Sequence, residues 1–264
     1  MDSYHLAIVI PCYNEYDRLE VSHISEFLDV NTDTAICFVD DASNDGTATH
    51  LEALCTAYPN RVQALSNAKN LGKAASVRKG VLHCSEQRLA HNYAYLDADF
   101  AVSLTECRSL LHHLQGEKQF VFASRILKVG SVVERKFSRF LFGRVIATFI
   151  SNILDIKVYD TQCGCKVFGA GTVPILFKEA FISKWLFDVE LFSRLLCAHG
   201  KERALEVMDE IPVRRWVDKG ESKVKMTYVF RLWYDLYAIR KTHRANYAQV
   251  VGPHPAEDTN APDE

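Results

Sequence analysis

The stretch "AYLDADFAV", residues 94–102, places two carboxylates directly after a short apolar run. The run predicts a buried β-strand, with Asp97 and Asp99 at its carboxyl end. Two like charges so close together repel each other unless a cation neutralises them, although a solvent-exposed turn would also explain the pair. The position at a strand end favours a hard divalent cation, Mg²⁺ or Mn²⁺, which binds carboxylate oxygens.

Similar apolar runs recur along the chain and alternate with helical patterns. This alternation predicts an α/β fold with a single, mainly parallel, Rossmann-like sheet and helices on both faces. In such sheets ligands bind beyond the carboxyl ends of the strands. The predicted strands cover residues 5–10, 34–39, 61–65, 93–96, 119–123 and 205–213, and the predicted helices cover residues 18–29, 46–57, 74–89 and 104–115.

Polar segments follow the first four predicted strands, so we expect them to meet in one crevice. They are "PCYNE" (11–15), "DDASNDGT" (40–47), "NAKNLGK" (67–73) and "DADF" (97–100). The spacing of Asp41 and Asp45 fits a calcium-binding EF-hand loop, but an EF-hand needs a preceding helix and residues 34–39 predict a strand. The segment 67–73 is not a Walker A phosphate loop, because that motif would need glycine in place of Asn67 and serine or threonine in place of Ala74.

The composition of the chain limits the kinds of partner that it can bind. The chain has 264 residues, 48% of them hydrophobic, which suits one large α/β domain. Its net charge of −2 predicts no nucleic-acid partner, so any anionic ligand must be bound by local charge. Eight cysteines without a CxxC pair predict reduced thiols in a cytosolic compartment. No uncharged apolar stretch reaches the roughly 18 residues that a transmembrane helix needs.

Two segments, residues 137–156 and 223–244, combine basic residues with an apolar or aromatic helical face. Such a face usually packs on the protein's own core, but a basic flank beside aromatic residues also suits a membrane surface, and both alternatives stay open. The face of the first segment comprises Phe137, Leu141, Val145, Phe149, Ile153 and Ile156. The basic residues are Arg125, Lys128, Arg135, Lys136, Arg139 and Arg144, and then Lys223, Lys225, Arg231, Arg240, Lys241 and Arg244.

Between these two segments, "YDTQCGCKVF" (159–168) predicts a loop packed by small thiols. Its two cysteines supply only two of the four ligands that zinc usually takes.

The motifs of the first 100 residues or so resemble the inverting family 2 glycosyltransferases of the GT-A fold. They are Pro11-x-Tyr13-Asn14-Glu15, Asp40-Asp41-Ala-Ser-Asn-Asp-Gly-Thr, Asn70-Leu-Gly72-Lys73 and Asp97-Ala-Asp99. Later motifs are similar to those of the dolichyl-phosphate β-glucosyltransferases and their polyprenyl-phosphate relatives. These are "ASR" (123–125), "ERKFSR" (134–139), "DTQCGCKVF" (160–168) and "WLFDVEL" (185–191).

This resemblance implies roles for individual residues. The residues that would bind the donor nucleotide are Pro11, Tyr13, Asn14, Glu15, Asp41, Gly72, Lys73 and Asp97. Asp97 and Asp99 would hold Mg²⁺ or Mn²⁺ against its diphosphate. The phosphate of a polyprenyl-phosphate acceptor would be gripped by Arg125, Arg135 and Arg139. The transferred sugar would lie by Asp160 and Gln162, with Asp188 as a competing catalytic carboxylate.

The chemistry of such a transfer agrees with these residue types. A leaving nucleoside diphosphate gains negative charge, which a cation between two carboxylates can neutralise. An acceptor phosphate is already ionised near pH 7, so a strong general base is dispensable. The larger task is to neutralise repulsion between two anions, and guanidinium groups with bidentate phosphate geometry do this well.

The resemblance therefore implies a hexosyltransferase that moves glucose from UDP-glucose onto a polyprenyl phosphate with inversion, and the basic amphipathic segments favour peripheral binding to the cytosolic face of a membrane. Residues 1–222 are predicted as the GT-A catalytic domain, 223–250 as an amphipathic helix and 251–264 as a disordered tail. The alternatives are another donor such as GDP-mannose or UDP-GlcNAc, a sugar-hydroxyl acceptor, a nucleotidyltransferase, and a non-catalytic calcium-binding module.

Overall fold

The computed structural model describes residues 3–134, 137–217 and 228–251, with side chains in residues 3–132, 143–216 and 231–243. The strands are β1 (Tyr4–Cys12), β2 (Thr34–Asp40), β3 (Val62–Ser66), β4 (Ala90–Leu96), β5 (Phe120–Ser124), β6 (Val132–Glu134), β7 (Cys165–Gly169), β8 (Met208–Pro212) and β9 (Arg215–Val217). The helices are α1 (Val21–Val30), α2 (Thr47–Ala57), α3 (Lys73–Glu86), α4 (Leu104–Ser109), α5 (Phe137–Leu154), α6 (Val173–Phe177), α7 (Phe187–His199), α8 (Lys201–Val207) and α9 (Tyr228–Val251).

Seven strands form one sheet in the order β3-β2-β1-β4-β7-β5-β8. Strands β3, β2, β1 and β4 are parallel to one another, and β5 is parallel to β8. Strand β7 lies between β4 and β5 and runs antiparallel to both. Strands β6 and β9 form a separate parallel pair. The predicted mainly parallel α/β sheet is confirmed, and the carboxyl ends of β1, β2 and β4 meet at one edge.

Helices cover both faces of the sheet because the strands are apolar on both sides, as buried parallel strands are. All seven residues of β2 are buried. Along β1, Ala7 and Val9 face one core with α3, α6, α7 and α9, while Leu6, Ile8 and Ile10 face a second core with α1, α2 and α4. The two cores hold the strand ends rigidly in register.

Three sequence predictions differ from the structure. Residues 165–169 form β7 instead of part of a loop, and the buried Lys166 in the middle of the strand concealed its apolar pattern. The predicted strand over 205–213 begins only at Met208, because residues 205–207 end α8. The predicted helix over 104–115 is α4 followed by a 3₁₀ turn at 110–113.

The two amphipathic segments pack on the protein's own core along part of their length. Leu232, Leu236 and Ile239 of α9 are buried, and α9 contacts α7 and α5. Among the described side chains of α5, residues 143–154, the buried ones are Ile150 and Leu154, so this part of the helix is rotated away from the predicted face. Of that face, Ile156 is buried and Ile153 is partly buried, Val145 and Phe149 are exposed, and the side chains of Phe137 and Leu141 lie outside the described residues.

None of the described helices is both long and apolar enough to cross a bilayer. The predicted boundary at residue 222 and most of the predicted tail, 252–264, fall outside the described residues.

Candidate active site

The loops after β1 and β2 are joined by hydrogen bonds at the edge of the sheet. Asn14 N donates to Ser43 Oγ (3.0 Å), Asn44 N donates to Asn14 Oδ1 (2.9 Å), and Glu15 N donates to the Thr47 hydroxyl (2.9 Å). Asn14 has a φ of +53°, a left-handed conformation that asparagine tolerates better than most residues. The structure therefore brings the predicted residues of segment 11–15 against segment 40–47.

Asp41 lies buried at this edge and organises the next loop. Its carboxylate accepts hydrogen bonds from Leu71 N (2.8 Å), Gly72 N (2.7 Å) and Asn67 Nδ2 (2.7 Å). Gly72 has a φ of +94°, which favours glycine, and it leads directly into α3. The contact of Asp41 with a nucleotide base stays a prediction, because three of the hydrogen bonds that its oxygens can accept go to the protein itself.

Asp45 caps the turn before α2. It accepts hydrogen bonds from Tyr16 N (3.0 Å), Thr47 N (3.0 Å) and the Thr47 hydroxyl (2.6 Å). The segment before this loop is strand β2, so the helix that an EF-hand requires is replaced by a strand. The EF-hand alternative is therefore excluded.

Asp97 and Asp99 lie where β4 ends, facing the first residue of α3. Lys73 Nζ lies 2.6 Å from Asp97 Oδ1, and Asp99 accepts a hydrogen bond from Ala101 N (3.0 Å). Burial and the charge of Asp97 raise the pKa of Asp99. Burial alone would lower the pKa of Lys73, but the carboxylates of Asp97 and Asp188 outweigh it and raise that pKa. The like charges of Asp97 and Asp99 therefore repel each other, and Lys73 is a cation that the structure places beside them.

These residues fit a divalent cation only together with its substrate. Among the described side chains, no group of three or more His, Cys, Asp or Glu residues is placed to hold a metal ion. Asp97 and Asp99 would supply carboxylate oxygens, and a diphosphate and water would complete the coordination, as Mg²⁺ commonly requires. Buried polar atoms nearby have no hydrogen-bond partner among the described residues, which indicates a polar ligand. They belong to Tyr95, Ser124, Thr161 and Gln162.

Asp160 is held in a tight ion pair with Arg125. Its oxygens accept hydrogen bonds from Arg125 Nε (2.6 Å), Nη2 (2.7 Å) and backbone N (3.0 Å), and from Gln162 N (3.1 Å). Burial would raise the pKa of Asp160, but the charge and hydrogen bonds of Arg125 overcome burial and lower it. With both oxygens occupied, Asp160 positions Arg125 and has little capacity left to accept a proton.

Glu210 of β8 is a site residue that sequence reasoning missed. Its carboxylate accepts hydrogen bonds from Tyr159 N (3.0 Å) and Asp160 N (2.8 Å), which fixes the start of the loop that carries Asp160. No local signal could have found it, because it lies about 50 residues along the chain from its partners.

Asp188 lies beneath this loop in a buried ion pair with Lys166. Lys166 Nζ also donates to the carbonyl oxygens of Thr161 (2.9 Å) and Cys163 (2.6 Å), so one cation supports the whole loop. Burial lowers the pKa of Lys166 and raises that of Asp188. A lysine inside an apolar run was the one sequence signal of this arrangement.

Loop 160–164 borders both the acidic pair and Arg125. Asp97 N donates to Gly164 O (2.9 Å), and a Cβ atom at Gly164 would come within 2.1 Å of the Asp97 carboxylate. Of the predicted acceptor arginines, only Arg125 has a described side chain. Arg135 lies outside the described residues, and Arg139 is described only as backbone of α5.

Comparison with known proteins identifies the family of this chain. The model of the family described as "Glycosyl transferase family 2" matches residues 7–172. The chain is 28% identical over 258 residues to a dolichyl-phosphate beta-glucosyltransferase of Trichomonas vaginalis, covering 92% of this chain and 75% of that protein. It is 28% identical over 263 residues to the dolichyl-phosphate beta-glucosyltransferase of Saccharomyces cerevisiae, covering 90% and 75%. The human protein of that name is 25% identical over 253 residues, covering 86% and 77%.

Solved structures share the fold. Glucosyl-3-phosphoglycerate synthase from Mycobacterium tuberculosis, in complex with Mn²⁺, UDP-glucose and phosphoglyceric acid, superposes with a TM-score of 0.63 at 14% identity, covering 92% of this chain and 80% of that one. Mannosyl-3-phosphoglycerate synthase from Rubrobacter xylanophilus gives a TM-score of 0.59 at 14% identity, covering 96% and 78%. At these identities the likeness concerns the fold alone.

Proposed function

The chain belongs to glycosyl transferase family 2, and we propose that it transfers glucose from UDP-glucose to a polyprenyl phosphate with inversion at the sugar. The observation that carries the proposal is that loop 160–164 touches Asp97 at one end and holds Arg125 at the other. The predicted cation site and a guanidinium group would therefore border one cleft. The relatives named as dolichyl-phosphate beta-glucosyltransferases support glucose and a polyprenyl phosphate as the substrates.

The donor would bind at the carboxyl ends of β1, β2 and β4. Pro11, Tyr13, Asn14 and Glu15 would line the nucleotide pocket with Asp41, and Gly72 and Lys73 would meet the diphosphate at the start of α3. Mg²⁺ or Mn²⁺ held by Asp97 and Asp99 would supply positive charge to the leaving diphosphate. Lys73, already 2.6 Å from Asp97, adds a second positive charge at the same place.

The engagement of Asp160 favours a phosphate acceptor over a sugar hydroxyl. A hydroxyl acceptor needs a general base, whereas each Asp160 oxygen already accepts two hydrogen bonds and Asp188 is ion-paired with Lys166. An ionised phosphate needs only to be oriented and its charge neutralised. Arg125 can orient it, and Arg135 and Arg139 would add positive charge. Gln162, whose Nε2 has no hydrogen-bond partner among the described residues, would donate to the transferred sugar.

A surface of α5 and α9 would hold the enzyme on the cytosolic face of a membrane. Val145, Phe149, Trp233, Tyr234 and Tyr237 are exposed, and the rings of Phe149 and Trp233 meet edge to face at 4.7 Å. Exposed Arg240 and Lys241 follow on the same helix. Aromatic side chains beside basic ones are typical of helices that lie at the surface of a bilayer.

The test is transfer of radiolabelled sugar into lipid-extractable product. UDP-glucose, GDP-mannose and UDP-GlcNAc would each be offered with a polyprenyl phosphate or a sugar-hydroxyl acceptor, with and without a chelator. We expect glucose to be transferred from UDP-glucose to the polyprenyl phosphate and not to the hydroxyl acceptor. The chelator should abolish this transfer, and added Mn²⁺ should restore it. Glucose transfer to the hydroxyl acceptor alone, or pyrophosphate release from a nucleoside triphosphate, would contradict the proposal.

The variant Asp97→Asn tests the metal site in the same assay. We expect activity to fall about a hundredfold or more, with partial recovery at high Mn²⁺. Asp29→Asn, an exposed aspartate on α1, is the control and should retain full activity. Full activity of Asp97→Asn would show that the acidic pair does not take part in the reaction.

A further inference from the structure

A cavity of about 100 Å³ lies between the start of loop 160–164 and α5. It is lined by Arg125, Arg144, Tyr159, Asp160 and Trp216, together with small residues of α5. Most pockets for whole small-molecule ligands have volumes of roughly 300–1,000 Å³. This cavity can therefore take a small polar group but neither a nucleotide nor a lipid chain.

Arg125 is fixed in this cavity by two contacts. Its Nε and Nη2 are bound to Asp160, and its guanidinium lies 5.4 Å from the ring centroid of Trp216. Asp160 neutralises its charge, and Nη1 is left without a hydrogen-bond partner in the described residues. Arg125 alone would thus orient a bound anion but would add little net positive charge.

Arg144 supplies the uncompensated charge. Its guanidinium lies over the ring of Tyr159, 3.7 Å from the centroid, and Nη1 donates to Tyr159 O (2.9 Å). It forms no ion pair with any carboxylate whose side chain the structure describes. Among the residues that line the cavity, two guanidinium groups face one carboxylate, and the stacking on Tyr159 fixes the orientation of the second guanidinium.

We propose that this cavity binds the phosphate group of a phosphate monoester, with Arg144 as its main electrostatic contact and Arg125 as its second donor. The proposal rests on the proposed function, because the monoester is then the acceptor lipid. Planar guanidinium groups bind phosphate through paired N–H donors, and two fixed groups discriminate a phosphate from an uncharged hydroxyl. Loop 160–164, which separates the cavity from Asp97, would place this phosphate beside the donor sugar.

Binding in the absence of donor tests the site directly. Trp216 lines the cavity, so its fluorescence reports occupancy, and Trp216→Phe identifies its share of the signal. Farnesyl phosphate, inorganic phosphate and farnesol would be titrated into the full chain. We expect farnesyl phosphate and inorganic phosphate to change the fluorescence, and farnesol to bind at least tenfold more weakly than farnesyl phosphate.

Variants of Arg144 separate its role from a structural one. Arg144→Gln should weaken farnesyl-phosphate binding about tenfold or more while UDP affinity and the unfolding midpoint stay unchanged, and Arg144→Lys should lie between Gln and the wild type. Arg88→Gln, an exposed arginine remote from the cavity, is the matched control and should bind farnesyl phosphate normally. Unchanged farnesyl-phosphate affinity in Arg144→Gln overturns the proposal, and so does an equal loss of UDP affinity.

The outcome is distinguishable from failure of the proposed function. If Arg144 is required for phosphate binding but no glucose is transferred to polyprenyl phosphate, the site stands and the proposed reaction fails. If glucose is transferred while Arg144→Gln retains the wild-type KM for the acceptor, the reaction stands and the site fails.

Discussion

Two acidic residues of the first half of the sheet, Asp41 and Asp45, are held by different means from two of the second half, Asp160 and Asp188. In the amino-terminal half, residues 4–99, Asp41 and Asp45 accept hydrogen bonds from backbone N–H groups of adjoining loops. In the carboxyl-terminal half, residues 120–217, buried side-chain cations hold the acidic residues instead: Arg125 holds Asp160 and Lys166 holds Asp188.

This difference has an energetic consequence. Removing the exposed Asp45 carboxylate leaves N–H groups that water can reach at the protein surface, so the cost is modest. Removing one from a buried ion pair leaves an uncompensated charge in a low-dielectric interior, which costs several times more. The exposed Asp45 should therefore tolerate substitution, whereas the buried Asp160 and Asp188 should not.

The largest expected effect is that of Asp188→Ala. Lys166 would remain buried without its counter-charge, so the free energy of unfolding in urea should fall by about 3–5 kcal/mol. The double variant Lys166→Met with Asp188→Leu should recover much of this loss, because an apolar pair avoids the buried charge. A single variant as stable as the wild type would show that the two halves do not differ.

Asp160→Asn should lower the free energy of unfolding by less than Asp188→Ala does, and the size of this loss should depend on pH. At pH 7 we expect a loss of about 2–3 kcal/mol, since the amide keeps the shape but not the charge opposite Arg125. The folded pKa of Asp160 is lowered below its unfolded value of about 3.9, so its stabilisation is present above that pH and disappears as the pH falls through the folded pKa. Urea unfolding at pH 7 and near pH 3 measures this, and an equal deficit at both values would contradict it.

Gly164→Ala tests the contact between the halves. The new Cβ would displace the Asp97 carboxylate, the movable end of a side chain, so activity should fall about 10–100-fold with little change in stability. Gly171→Ala is the matched control, because a Cβ there meets nothing within 4 Å. Transfer assays and thermal unfolding of both variants check this. Wild-type activity in Gly164→Ala would show that the contact between loop 160–164 and the acidic pair does not affect the reaction.

The smallest effect belongs to Asp45→Ala in the amino-terminal half. Loss of this exposed cap of α2 should lower the free energy of unfolding by about 1 kcal/mol. A loss as large as that of Asp188→Ala would remove the distinction between the halves.

The amino-terminal half was predictable from sequence because its site residues are close to the strands that carry them. The segments at 11–15, 40–47, 67–73 and 97–100 each follow a strand directly, and parallel neighbours bring their ends together. Strand boundaries were found within a few residues in this half. Local chain order is therefore enough to assemble this part of the site.

The carboxyl-terminal half was less predictable because its contacts join distant residues. Strand β7 was missed, since Lys166 is hydrophilic in sequence and is neutralised only by Asp188, 22 residues further on. Glu210 and Arg144 carry no local motif, and their roles depend on how β8 and α5 pack against residues 159–160.

The sequence by itself determined the α/β class, the strand ends and the acidic pair, because periodicity and strand-end polarity are local properties that a short segment expresses alone. Only the tertiary structure decided that Asp160 is committed to Arg125, that Asp188 lies beneath the loop with Lys166, and that Arg144 lies beside a cavity with no carboxylate partner among the described side chains. Pairing of buried charges depends on distance in space, and the order of residues along the chain does not specify that distance.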